Sequence, residues 1–158
     1  MDLTEEELIK SNNAFGYIKS NQSFLIEKFA SPKIYLPDER PVSLFMAGSP
    51  GAGKTEVSKR LIEKFQDKPP VRIDADEIRE IIPGYTGNNS YIFQKAASKG
   101  VNLLFDYALD KNINIILDGT FAYKNVEKNI ARSLDHSREV EIYYIYQDPI
   151  VAWDLTKK

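Results

Sequence analysis

The chain has 158 residues, the length of one domain, and 42% of them are hydrophobic, enough to bury a full core. With 21 basic and 23 acidic residues its net charge is −2, which gives no bulk attraction to nucleic acid, and the lack of cysteine excludes disulfides and cysteine-based zinc sites. No apolar run approaches membrane-spanning length, and the acidic start lacks the basic region of a signal peptide, so the chain is read as cytoplasmic.

Thr4 followed by Glu7 predicts a capping box that opens an N-terminal helix. Leu8, Ile9, Phe15 and Ile18 give it a broken apolar face, weakened by Asn12, Asn13 and Gly16. A second short helix is expected from Ser23, carrying Phe24, Leu25, Ile26 and Phe29. Pro32, Pro37, Asp38 and Pro41 mark a connector, so residues 1–37 are set apart as an N-terminal helical segment and 38–158 as the main domain. Apolar helix faces usually serve their own chain's core, so packing on the main domain is expected, with partner docking as the alternative.

From Val42 onward, strand and helix alternate. Val42–Ala47 reads as a buried strand that runs into a glycine loop, and Lys54 to Phe65 reads as a helix. Val71–Ile73 is a short second strand ending at Asp74, followed by a short helix over Glu77–Ile82 that Pro83-Gly84 stops. After the Gly87-Asn88-Asn89 loop, one long helix is expected over Ser90–Asp110. Asn112–Leu117 is a third strand, Val126–Leu134 a helix, Glu139–Tyr146 a fourth strand, and Pro149 opens a last helix. This order predicts an α/β protein of the P-loop NTPase fold: three layers, with a mostly parallel sheet of at least four strands and helices on both faces.

The loop Gly48-Ser49-Pro50-Gly51-Ala52-Gly53-Lys54-Thr55 matches G-x-x-x-x-G-K-[ST] in full. Its glycines let backbone N–H groups turn inward toward phosphate oxygens, and the helix it opens adds partial positive charge. Lys54 is expected to reach the β- and γ-phosphates of ATP or GTP, and the Thr55 hydroxyl to ligate Mg²⁺. The strand before the loop and the amphipathic helix after it supply the context that the motif requires.

Ligands of parallel sheets bind at the carboxyl ends of strands. Two acidic positions fall there: Asp74-Ala75-Asp76 after the second strand and Asp118 at the end of the third. Asp76 is read as the base that takes a proton from an acceptor hydroxyl, and Asp74 as a helix cap, since one of two alternating residues points into the cleft. Asp118 is assigned to substrate orientation or to the metal, directly or through water. Thr120 bonds substrate or caps the next helix. Arg79, three residues after Asp76 on the same helix face, binds an anionic substrate group or is an ordinary solvated arginine. Tyr85 and Tyr91 flank a loop on the expected acceptor side. His136 reads as a surface residue, Tyr143, Tyr144 and Tyr146 as packing, and Trp153 as the residue that fastens the last helix to the sheet.

Gly48 to Thr55, then Ile73-Asp-Ala-Asp-Glu-Ile-Arg79, then Leu117-Asp-Gly-Thr120, in this order and spacing, resemble the zeta-toxin family of P-loop kinases. The resemblance runs from about Val42 to the end, including Gln147-Asp-Pro149 and Val151-Ala-Trp153. It implies phosphorylation of the sugar 3′-hydroxyl of UDP-N-acetylglucosamine, with catalytic roles for Asp76 and Lys54 and an antitoxin protein as possible partner. Where the family often has glutamate this chain has Asp118. Phe121 or Ala122 stands where the family can carry an arginine, and Asn102 aligns near an acidic sugar contact. Family kinases also close an arginine-bearing segment over the phosphates after the fourth strand, and no arginine follows Arg138 here, so the chain is read as a fragment or as a reduced form completed by a partner. Two alternatives stand beside this reading: another P-loop kinase, acting on a small molecule or a polynucleotide end, and a nucleotide-binding module without turnover.

Overall fold

The computed structural model describes residues 3–65, 67–119, 121 and 126–156, with only the backbone of Val126. Among them, four strands form one sheet in the order β2-β3-β1-β4, where β1 is Val42–Ala47, β2 Val71–Asp74, β3 Ile115–Asp118 and β4 Glu139–Tyr144. All three pairings are parallel. The helices are α1 (Glu5–Ser20), α2 (Gln22–Phe29), α3 (Lys54–Ile62), α4 (Ala75–Glu80), α5 (Ser90–Asp110), α6 (Val126–Asp135) and α7 (Pro149–Leu155).

β1 lies between two strands and is covered on both faces, which is why its sequence is apolar except for Ser43. Phe45 points to one side, into the larger core with Ile73, Ile115, Phe93, Leu104 and Phe105. Leu44 and Met46 point to the other and meet Leu61 of α3 and Ile116. α5 supplies much of the larger core through Ile92, Phe93, Ala96, Leu103, Leu104 and Ala108, all buried at helical spacing.

The N-terminal helices belong to that same core. The expected capping box is formed: Thr4 Oγ1 accepts from Glu7 N, and Glu7 Oε2 accepts from Thr4 N at 2.8 Å. Ala14, Ile18 and Leu25 are buried against the α5 side of the sheet.

Several ends differ from the sequence reading. β3 begins at Ile115, not Asn112, because Asn114 spends its side chain on ties: Oδ1 accepts from Val42 N at 2.9 Å, and Nδ2 donates to Asp38 and to the Lys68 carbonyl. Ile113 instead makes an isolated bridge with Pro37. α3 stops at Ile62 and β4 at Tyr144. Trp153 does not fasten α7 to the sheet. It is 64% exposed, and the buried residue of that helix is Ala152. At the amino end of the sheet, buried Arg138 donates to Ser43 Oγ and to the carbonyls of Val42 and Ile113, and burial lowers its guanidinium to about 10.

Candidate phosphate-binding and acceptor site

The carboxyl ends of β1, β2 and β3 open onto one cleft of about 670 Å³. It is lined by Pro50, Gly51, Gly53, Lys54 and Thr55 of the glycine loop, by Asp74 and Asp76, by Asp118 and Gly119, and by Gln147 and Leu155 from the carboxyl-terminal stretch. Parallel pairing sets the level of these groups. Asp74 and Asp118 are register partners at the ends of β2 and β3, and β1 leaves the sheet at Ala47 to enter the loop.

Gly48, Gly51 and Gly53 all have positive φ, at 138°, 74° and 86°. Gly51 has a second reason to be glycine: a Cβ there would run into the Ala152 carbonyl of α7, which rests against the loop. Gly53 is the residue before α3, so Lys54 and Thr55 form its first turn, where backbone N–H groups are open to a ligand. Lys54 Nζ donates to the carbonyls of Gly48 (2.9 Å) and Ser49 (2.6 Å), across the mouth of the loop. Partial burial lowers its ammonium, while the charges of Asp118 and Asp74 work the other way. These groups fit a phosphate chain: a left-handed glycine backbone, a helix start and a lysine at the loop mouth. The Thr55 hydroxyl is a hard oxygen donor of the kind that Mg²⁺ takes. Among the described residues no cluster of three acidic or histidine groups forms a metal site by itself.

Asp118 is held in place. Its Oδ2 accepts from Arg72 Nε (3.0 Å), Arg72 Nη2 (2.6 Å) and Ser58 Oγ (2.8 Å). Arg72 also pairs with Asp74 Oδ2 at 2.6 Å and with Glu77. The reason lies in strand geometry. Residues two apart on β2 share a face, so Arg72 lies under Asp74 and reaches across to its register partner. Burial raises the Asp74 carboxyl, and Arg72 partly offsets this. For Arg72 itself, burial is outweighed by its three carboxylates, which raise it.

Asp74 caps α4, with Oδ1 accepting from Asp76 N at 2.8 Å, as expected. It nevertheless lines the cleft together with Asp76, so the strand-type alternation expected to separate them does not apply: Asp76 already lies within α4. The Asp76 carboxylate is 77% exposed and pairs with Arg79. Arg79 is not a solvated arginine: its side chain is 11% exposed, and it also donates to Gln94 of α5. Tyr85 stacks edge-on against Phe93 and Tyr91 bonds Glu7 of α1, and neither lines the cleft. Thr120 and Ala122 lie outside the described residues. Phe121 packs on Phe45. Asn102 is exposed on α5 and donates to the Ser98 carbonyl.

Sequence reasoning passed over Arg72, Ser58 and Gln94. Arg72 had a readable signal, a charged residue inside a four-residue strand whose neighbours, Val71 and Ile73, are apolar. Ser58 had a weaker one, one turn beyond Thr55 on the inner side of α3. Gln94 had none.

Fold and loop together define a P-loop nucleotide-binding protein of the α/β class. The zeta toxin family matches residues 27–158, and the chain belongs to that family. Among solved structures it is similar to a chain of the PezAT chromosomal toxin-antitoxin system of Streptococcus pneumoniae, with a TM-score of 0.74 at 21% identity. That similarity covers 99% of this chain and 63% of the other, and it establishes the fold. Among curated proteins it is similar to the ATP-dependent protease ATPase subunit HslU of Lactobacillus gasseri and of Lactobacillus johnsonii, 30% identical over 89 residues. The match takes in 56% of this chain and 18% of those relatives' length. Among the described residues no helix is long and apolar enough to cross a membrane.

Proposed function

We propose that this chain is a cytoplasmic phosphotransferase that moves the terminal phosphoryl group of ATP or GTP to a hydroxyl of a nucleotide-sugar of the UDP-N-acetylglucosamine type. The observation that carries this reading is the placement of an exposed carboxylate, Asp76, in the same cleft as Lys54 and Thr55. Membership of the zeta toxin family supports the choice of acceptor.

The bound Mg-nucleotide supplies the phosphoryl group and part of the neutralising charge. The loop N–H groups and the start of α3 hold the phosphates, and Lys54 turns from its two carbonyls toward their oxygens. The Thr55 hydroxyl would hold the cation, and Asp118, fixed by Arg72, would support it. Asp76 accepts the proton of the acceptor hydroxyl, and Arg79 pairs with its carboxylate. A toxin–antitoxin origin for the similar solved chain supports an antitoxin protein as partner.

The test is incubation with Mg-ATP and UDP-N-acetylglucosamine, followed by mass spectrometry of both. A sugar nucleotide heavier by one phosphate, lost on Asp76→Asn, is the expected result. ADP appearing with the sugar unchanged would reject the acceptor and keep the nucleotide site. Full activity in Asp76→Asn would reject the base.

A further inference from the structure

Asp76 stands at 77% exposure on a helix of six residues, which has little rigidity of its own. What steadies its carboxylate comes from a different element. Oδ1 of Asp76 accepts from Arg79 Nη1, one turn along α4. Nη2 of the same guanidinium donates to Gln94 Oε1 on α5, and Gln94 Nε2 reaches Ser98 Oγ at 3.4 Å. The guanidinium is planar, so a hold on one nitrogen fixes the direction of the other. Its Nε is buried with no hydrogen-bond partner. Leaving a buried N–H unpaired is costly, and a merely solvated arginine would avoid that cost by turning outward.

We propose that Arg79 and Gln94 are positioning residues for Asp76. Gln94 fixes the guanidinium from the 21-residue α5, and the guanidinium holds one carboxylate oxygen so that the other is presented to the acceptor hydroxyl. In this arrangement Arg79 is committed to the protein and is not a contact for an anionic group of the substrate. The inference deepens the phosphotransferase reading and rests on Asp76 being its base.

Gln94 is exposed, so its substitution leaves the core intact. Gln94→Leu removes the acceptor for Arg79, whereas Gln94→Glu keeps one. In the sugar-phosphorylation assay, Gln94→Leu is expected to lower kcat about 10- to 100-fold with the KM values for nucleotide and sugar unchanged, since a base misplaced by about 1 Å can cost that much. Gln94→Glu is expected to retain most of the rate, and both variants to melt with the wild type. A wild-type kcat in Gln94→Leu, beside an inactive Asp76→Asn, overturns the positioning role and leaves the base in place. An active Asp76→Asn overturns the base assignment on which the positioning role rests, and a wild type that phosphorylates no sugar overturns the phosphotransferase reading itself. A second measurement needs no turnover: the guanidinium N–H resonances of Arg79 in ¹⁵N spectra at low temperature. Resolved, slowly exchanging Nη signals that collapse in Gln94→Leu and persist in Gln94→Glu support the proposal. Signals that are the same in both variants overturn it.

Discussion

Arg72→Met tests how the cleft tolerates three carboxylates at the ends of two adjacent strands. The substitution keeps the apolar stem of the side chain and deletes the cation shared by Asp118, Asp74 and Glu77. The side chains of Arg72, Asp118 and Asp74 are 8%, 4% and 15% exposed, so the first two pairs are buried. Glu77, at 40% exposure, adds little because solvent screens it. Breaking a buried pair by removing one partner costs about 3–5 kcal/mol, because the carboxylates stay behind without compensation. A typical domain has only about 5–15 kcal/mol in total, so the effect is large. With a urea slope of roughly 2 kcal/mol per M, the midpoint should fall by about 1.5–2.5 M at pH 7. The pH dependence provides a second check. Burial already raises the Asp74 carboxyl, and loss of Arg72 raises it further. A carboxyl whose folded value is raised costs stability at pH values above that value, and the cost disappears below its unfolded value. The variant's deficit is therefore largest at neutral pH and shrinks as the pH falls toward about 4. Asp118→Asn added to Arg72→Met should recover part of the loss. A deficit below about 1 kcal/mol at pH 7, or one that stays constant with pH, would refute the reasoning that these charges are buried and coupled.

Three further outcomes follow from the same structure. Gly51→Ala places a Cβ at a φ of 74° and against the Ala152 carbonyl, so it should push α7 off the glycine loop and lower ATP affinity by calorimetry at least about tenfold, with αL strain of about 1–2 kcal/mol. Gly16→Ala is its control: it sits in α1 at negative φ with open space around it, and should raise stability by roughly 0.5–1 kcal/mol. Deleting residues 1–30 removes Ile18 and Leu25 from the core and bares the face of α5 beneath them, at about 1.5–3 kcal/mol for each large side chain. The remainder should be insoluble or show non-cooperative melting. A soluble, cooperatively folded 31–158 would instead mark the helical segment as a separate unit.

Much of the architecture could be read along the chain because its signals are local. The capping box at Thr4 and Glu7, the proline opening α7 and the 3.6-residue spacing on α5 each act within a turn or two of helix, and each element formed where it was expected. The glycine loop was legible for the same reason: its conformation and its chemistry lie in eight consecutive residues. Boundaries were less so. Asn114 ends up outside β3 because its side chain bonds Val42, Asp38 and Lys68, none of them a neighbour in sequence.

By itself, then, the sequence determined the parallel α/β plan, the phosphate loop with Lys54 and Thr55, and the two strand ends where acidic residues would gather. Backbone geometry and short-range periodicity are enough for these. Only the tertiary structure decided which of the charges meet. The register of β2 on β3 set Asp74 beside Asp118 and brought Arg72 to both, and the packing of α4 on α5 gave Arg79 to Asp76 and Gln94. A charged side chain is satisfied by whichever partner folding delivers, and along the chain such partners are 15 residues away for Gln94 and 46 for Asp118. No local pattern encodes a distance of that kind.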